Sequence, residues 1–408
     1  MTTALQNTDS QIVTGNTEHT RPENRACYPA LDGLRAIAFL MVFMEHYLEF
    51  PWGWAGVDVF FVLSGFLITG ILFDSLDDPY RVRNFYVRRT LRIFPLYYGI
   101  MLALVLSWPL IHWQWSWAWM VWPGYLGNFA RFFHPYALNT PAQYLVDFQP
   151  VGVLPPWPIH LYLGHFWSLC VEEQFYLIWP WLVFAIRDRR KLILCCGVTL
   201  FLGLPLRLLG QHLLPVWMLK GEVLYRATPF RLDALLLGGL LALILRGPHA
   251  RTLLRAARLL TPVILAAVIY LISAALYQHI FYREPTYPAW KFTWGLSLVD
   301  FLSALLILTA IQPVSIVYRA LNRKPLRWLG RISYGAYVLH DIPHTLYIKG
   351  ATRISPPHFR LLVPVLAFVF TLLFAWISFQ FFESPFLNLK ERWTIRRTMP
   401  TPSKSESS

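Results

Sequence analysis

Arg35 and His46 stand eleven residues apart in the apolar run Leu31–Tyr47, LDGLRAIAFLMVFMEHY, with Glu45 beside the histidine. Eleven residues are close to three full helical turns, so both side chains project from one face, about 16 Å apart along the axis. In a helix that spans a membrane such groups are costly, and they face a bundle interior or a wet cavity. A neutral imidazole can take a proton from a hydroxyl. A guanidinium can hold a phosphate or a developing oxyanion. The plainer reading has Arg35 reaching the headgroups and His46 packed in a core. The pair on one face favours a functional site.

Further groups of the same kind recur along the chain. Asp58 opens the second run in GVDVFFVLSGFL, where Ser64-Gly65 reads as a small-residue helix contact. Arg89 and Arg92, in RRTLRIFPLYY, share a helix face. Two guanidinium forks so placed suit a phosphorylated ligand. The alternative is a basic cluster resting on anionic lipid. Glu172 and Glu173, in HFWSLCVEEQFYLIWP, cannot both face lipid, and Ser168 lies one turn before Glu172. Nothing nearby in sequence activates Ser168 or Cys170 as a nucleophile. Arg231 and Asp233, two apart in FRLDALLLGG, must find partners on other helices, with Glu172 the expected partner of Arg231. Tyr334, Tyr337 and His340 fall at i, i+3 and i+6 in ISYGAYVLHDIP and can line one broad face. The dense tryptophans of Trp108–Trp122 read as an interfacial belt, with a sugar-stacking platform as the alternative.

Positioning these groups requires long apolar elements, and the composition supplies them. Of 408 residues, 56% are hydrophobic and 14% charged, and mean hydropathy is +0.43. Soluble domains carry roughly a quarter charged residues, so this composition marks a polytopic membrane protein. A formal net charge of +14 would suggest nucleic acid in a soluble chain. Here the basic residues sit in short clusters between apolar runs and read as topology signal, so no nucleic-acid partner is expected.

Runs long enough to span cover 30–49, 55–73, 93–111, 116–134, 165–186, 191–209, 227–245, 259–280, 293–312, 332–349 and 360–382. Basic clusters in 81–92, 187–191, 246–258, 319–331 and 390–397 place those connectors in the cytoplasm. Only an even number of crossings fits between the first two clusters. The run 116–134 is broken by Pro123-Gly124 and carries Arg131. The expected fold class is an all-α integral membrane protein with about ten transmembrane helices, a re-entrant or interfacial segment over 116–134, and both termini cytoplasmic. Residues 1–27 read as a disordered cytoplasmic tail without a cleavable signal, 28–386 as the transmembrane domain, and 387–408 as a second cytoplasmic tail. Cys27, Cys170, Cys195 and Cys196 form no spaced framework, and no disulfide and no metal site is expected.

The chain resembles the acyltransferase-3 family of integral membrane acyltransferases over about residues 28–386. The resemblance rests on the Arg35/His46 pair, GVDVFFVLSGFL, the Arg89/Arg92 pair, WSLCVEEQFY, FRLDALLLG, ISYGAYVLH and FESP, in that order. It implies acyl-CoA, acetyl-CoA above all, as a cytoplasmic co-substrate with no permanently bound cofactor, and a carbohydrate or glycoconjugate hydroxyl as acceptor. It also implies His46 and Arg35 as essential, with Glu172, Arg89 and Arg92 as further candidates. Some members carry a fused extracytoplasmic domain, so a delivery module here is expected to be a separate protein. The expected location is a bacterial plasma membrane.

Counting from the run ends puts His46, Asp58, Glu172 and Arg231 near the outer boundary and Arg35, Arg89 and Arg92 near the inner one. CoA phosphates would then bind Arg89 and Arg92, and the pantetheine arm would reach toward His46. His46 would act as base or acyl carrier, Glu172 as its partner, and Arg35 or Arg231 as oxyanion donor. Asp58, Tyr334 and His340 would support the site. The competing class is a carrier of sugars or organic anions, since buried charges at several depths suit a transporter equally. A membrane scaffold without chemistry explains those charges poorly.

Overall fold

The computed structural model describes residues 28–107, 109, 117–130, 147–148, 161–214, 220–281, 289–344, 347 and 362–395. Apolar runs with intact backbone hydrogen bonding must become helices in lipid. Five helices are long and apolar enough to cross a membrane, or six if one sharply bent pair counts as a single span. The described residues thus form an all-α membrane protein. Its one described ladder is the two-residue antiparallel pairing of β1 (Asp147–Phe148) with β2 (Leu161–Tyr162).

Helix α1 (Pro29–Leu48) starts on a proline at its first turn and ends where Glu49 turns left-handed, φ 52°, and its N–H returns to Met44 O. It runs against α2 (Ala55–Asp74), the most deeply buried of the spanning helices. Helix α3 (Arg81–Leu106) begins inside the basic cluster 81–92. That cluster is therefore not a loop but the first three turns of the span, and its arginines point along a rigid face. The described residues of the run 116–134 include 3₁₀ turns at Trp117–Val121 and Gly127–Phe129, with Ala130 helical after the second. The tryptophans before Trp117 lie outside the described residues.

Helix α4 (Trp167–Ile186) follows a 3₁₀ turn at Gly164–Phe166 and carries Glu172 and Glu173. Helix α5 (Arg189–Leu213) starts where the Asp188 carboxylate accepts from Lys191 N at 2.8 Å. After the short α6 (Lys220–Arg226), helix α7 (Leu232–Leu245) meets α8 (Ala250–Leu259) at a 119° bend. The basic residues of 246–258 thus lie at that bend and on α8. Helices α9 (Thr261–Phe281), α10 (Trp294–Ala310), α11 (Ile316–Leu321) and α12 (Lys324–His340) follow. Helix α13 (Leu362–Ile377) passes through a π-helical stretch, Ser378–Glu383, into α14 (Ser384–Trp393).

The core is built on α1, α2, α7 and α12. Helices α2 and α7 touch backbone to backbone: a Cβ at Gly65 would stand 1.7 Å from Leu235 O, and one at Gly238 would stand 1.9 Å from Val62 O. Gly65 is the small-residue contact that the sequence suggests, while Ser64, one residue on, faces elsewhere. Arg231 and Asp58, both fully buried, pair at 2.5 Å across the same helices. Arg207 joins α5, α7 and α10, donating to Asp233 at 2.6 Å, Phe230 O at 2.9 Å and Ser297 Oγ at 2.5 Å. Buried ions of this kind need partners, and these tie α2, α5, α7 and α10 together.

Candidate active site

Two groups of polar residues occupy the bundle, and they lie at opposite ends of α1. The first lines a cavity of about 330 Å³. One end is cationic: Arg35 of α1, Arg88, Arg89 and Arg92 of α3, and Lys390 of α14 all border it. Because Arg89 and Arg92 are one turn apart on a continuous helix, the span itself aims them inward. Arg35 also pairs with Asp32. The Arg89 guanidinium sits 4.8 Å over the Tyr176 ring. The Tyr176 hydroxyl bonds Ser64. Glu172 lies beside Ser64, Tyr176 and Arg89. Tyr334 lines the wall and donates to Ile93 O at 2.7 Å.

The far end of the cavity is closed by Ser168 and Tyr337. Their hydroxyls stand 2.5 Å apart, and Tyr337 Oη donates to His165 O at 3.0 Å. Behind that layer is the second group, four histidines around Asp341. His46 Nε2 and His165 Nδ1 each lie 3.5 Å from Asp341 Oδ2. The His340 ring stands 5.1 Å from the His46 ring and 5.0 Å from the His165 ring, centroid to centroid. His344 Nε2 donates to His46 O at 2.8 Å.

Backbone carbonyls fix the tautomers here, because a carbonyl can only accept. His46 Nδ1 meets Val42 O at 2.8 Å, so its proton is there and Nε2 carries the lone pair. His340 Nδ1 meets Tyr337 O at 2.6 Å, and His165 Nε2 meets Val338 O at 3.0 Å. With the rings neutral, the nitrogens left bare are His46 Nε2, His165 Nδ1 and His340 Nε2, the first two of them 3.5 Å from Asp341 Oδ2. Asp341, His165 and His340 are nearly or fully buried, while the His46 side chain keeps 26% of its surface exposed.

Several expected neighbours are not neighbours. Arg35 belongs to the cavity's cationic end and not to the His46 cluster, so it cannot serve an oxyanion formed at His46. Glu172 shares the cavity with Arg89, and the carboxylate beside His46 is Asp341 instead. Ser168 meets Tyr337, not Glu172. Arg231 pairs with Asp58 rather than Glu172 and is sealed in the core. Neither Arg231 nor Asp58 borders the cavity. Of the two supporting residues, Tyr334 lines the cavity and His340 joins the His46 group. Asp341, His165, Arg88 and Lys390 had no distinguishing signal of their own in the sequence. The adjacency of His340 and Asp341 was the one available hint.

A family model described as an acyltransferase domain matches residues 28–380. The chain belongs to this acyltransferase-3 family. Among its relatives, the peptidoglycan O-acetyltransferase OatA of Listeria monocytogenes is 30% identical over 89% of this chain and 56% of its own. The putative peptidoglycan O-acetyltransferase YrhL of Bacillus subtilis is 31% identical over 88% of this chain and 54% of its own. A putative O-acetyltransferase of Staphylococcus aureus is 27% identical over 88% of the chain. The chain spans about half the length of these relatives. No solved structure matches it. In family terms, the motif residues Arg35, Arg89, Arg92 and Glu172 gather at the cavity, and His46 and His340 gather at Asp341.

Proposed function

We propose that this acyltransferase-3 chain is a multi-pass enzyme of a bacterial plasma membrane that moves an acyl group, acetyl first of all, from cytoplasmic acyl-CoA to a carbohydrate hydroxyl. The observation that carries the reading is a cavity with a cationic mouth whose closed end, Tyr337 and Ser168, is one side chain away from the Asp341 cluster. Arg88, Arg89, Arg92, Arg35 and Lys390 supply the charge that CoA phosphates need. The names of the relatives make a peptidoglycan-type glycan the first acceptor to test.

In this reading about ten helices cross the membrane and both termini are cytoplasmic, so the cationic mouth opens inward. The pantetheine arm enters the cavity and, with Tyr337 displaced, brings its thioester to the cluster. The acceptor arrives at His46, which with His344 is part-exposed while His165, His340 and Asp341 are buried. Its hydroxyl oxygen bonds to the thioester carbon as the cluster takes up the hydroxyl proton, the C–S bond breaks, and the cluster returns that proton to the sulfur so that CoA leaves as thiol. Glu172 stands beside the guanidiniums to orient them. A separate extracytoplasmic protein would deliver or release the acceptor.

Membrane vesicles containing the full chain should transfer label from [¹⁴C]acetyl-CoA, supplied on the cytoplasmic face, to a glycan fraction. His46→Ala should reduce this at least about a hundredfold, on the scale of a lost acid–base group. Undiminished transfer in that variant overturns the reading. Label crossing the bilayer without becoming covalently attached to glycan would identify a carrier instead.

A further inference from the structure

Hydrogen-bond bookkeeping around Asp341 does not close with the side chains alone. His46, His340 and His165 have each committed one ring N–H to a backbone carbonyl, and each presents its other nitrogen as a lone pair. Those lone pairs face a carboxylate, which also only accepts. Among the described residues, Asp341 Oδ1 and Oδ2, His340 Nε2 and His165 Nδ1 have no hydrogen-bond partner and are shielded from solvent. Buried acceptors turned toward one another repel unless positive charge sits between them.

We propose that His46 Nε2, His340 Nε2 and the Asp341 carboxylate bind one divalent transition-metal ion, with Zn²⁺ the best match in ligand type. These three donor groups all lie within 4.8 Å of one another. Bonds of about 2.0–2.1 Å in a tetrahedral site set ligand atoms about 3.3 Å apart. The 3.5 Å between His46 Nε2 and Asp341 Oδ2 is already close to that, and the His340 donor stands within 4.8 Å of both. Two imidazoles and one carboxylate with a fourth position left open is the pattern of catalytic zinc, not structural zinc. The carbonyls of Val42 and Tyr337 behind His46 and His340 supply the outer-shell acceptors that orient ligating imidazoles. His165 Nδ1 stands 3.5 Å from the same carboxylate oxygen.

The site deepens the proposed function and rests on it only for the ion's purpose: a hydroxyl bound at the open position becomes a stronger acid. Binding itself is testable without any reaction. Untagged full-length protein, purified in detergent without chelator, should hold close to one equivalent of metal by elemental analysis. Apoprotein should take up Co²⁺ with the visible absorption of a tetrahedral site containing nitrogen and oxygen ligands. His340→Ala and Asp341→Asn should each lower metal affinity at least tenfold. Added Zn²⁺ should raise the Tm of the wild type and not of either variant, a contrast that a merely misfolded variant would not give.

Less than a tenth of an equivalent in wild type after exposure to micromolar Zn²⁺ and Co²⁺ overturns the proposal, as does unchanged binding in the His340→Ala, Asp341→Asn double variant. In either case the cluster would be held by protons instead. A metal-free wild type that still needs His46 to transfer acetyl disproves the ion and leaves the acyl transfer intact. A loaded wild type with no transfer from any acyl-CoA does the reverse.

Discussion

Arg89 and Arg92 show how residue spacing alone can bring two guanidiniums to one cavity. Two forks one turn apart on a continuous helix present paired donors to one volume, and the structure adds Arg88, Arg35 and Lys390 around it. Charge-assisted hydrogen bonds of this kind contribute about 1.5–3 kcal/mol each. Arg89→Ala or Arg92→Ala should therefore raise KM for acyl-CoA roughly tenfold to a hundredfold, while kcat at saturating donor falls far less. Lysine at either position should recover only part of the loss, because it keeps the charge and loses the fork. Initial-rate measurements against acyl-CoA concentration check this, and an unchanged KM in both alanine variants would remove the arginines from the donor site. The arginines were legible because both partners of the pattern lie on one helix. Asp341 was not, because its meaning comes from His46 and His165, which are almost three hundred and almost two hundred residues away in sequence. Its adjacency to His340 is the one local mark it carries, and the structure places Glu172 beside Arg89 and Asp341 beside His46.

At the scale of elements, the α2–α7 contact decides whether the two halves of the bundle meet. Gly65 and Gly238 let the backbones touch, and the atoms a new Cβ would strike are carbonyl oxygens that cannot rotate away. Gly238→Ala should therefore force the helices apart and lower stability by about 1–3 kcal/mol or more, read as a fall in Tm and in detergent-soluble yield. Gly197, on lipid-facing α5, has nothing within 4 Å of its would-be Cβ. Gly197→Ala should leave Tm unchanged or raise it slightly, since a helix interior favours Ala over Gly by about 0.5–1 kcal/mol. Equal effects from the two substitutions would show that the close approach is not what holds α2 to α7. Hydropathy located these helices well, yet it misplaced their starts wherever charge entered the span. Helix α3 begins ten or more residues earlier than its apolar run, because an arginine-rich turn at the end of a span loses nothing by being helical. Within 116–134, the described residues on either side of Pro123-Gly124 form short 3₁₀ turns.

Across the whole molecule, arginine–aspartate pairs gather at one end of the bundle and the histidines at the other. At one end, Arg246 holds Asp74 with two bonds of 2.6 and 2.5 Å, and Arg187 meets Asp77 at 3.0 Å. The cationic cavity mouth opens toward the same end. At the other end stand His46, His344 and the 3₁₀ turn that holds His165. Placing the arginine layer in the cytoplasm follows from the positive-inside bias, and the proposed chemistry depends on it, because acyl-CoA is supplied from that side. Cysteine substitutions at Arg190, exposed in the first turn of α5, and at Leu48, 42% exposed at the far end of α1, report the two ends directly. In a background lacking the native cysteines, a membrane-impermeant maleimide should label the Leu48→Cys variant in intact cells. It should reach the Arg190→Cys variant only after the membrane is opened. Labelling of both from one side would mean that α1 and α5 do not carry their marked ends to opposite faces, and a cavity fed by cytoplasmic donor could not then deliver its acyl group to an acceptor waiting at His46.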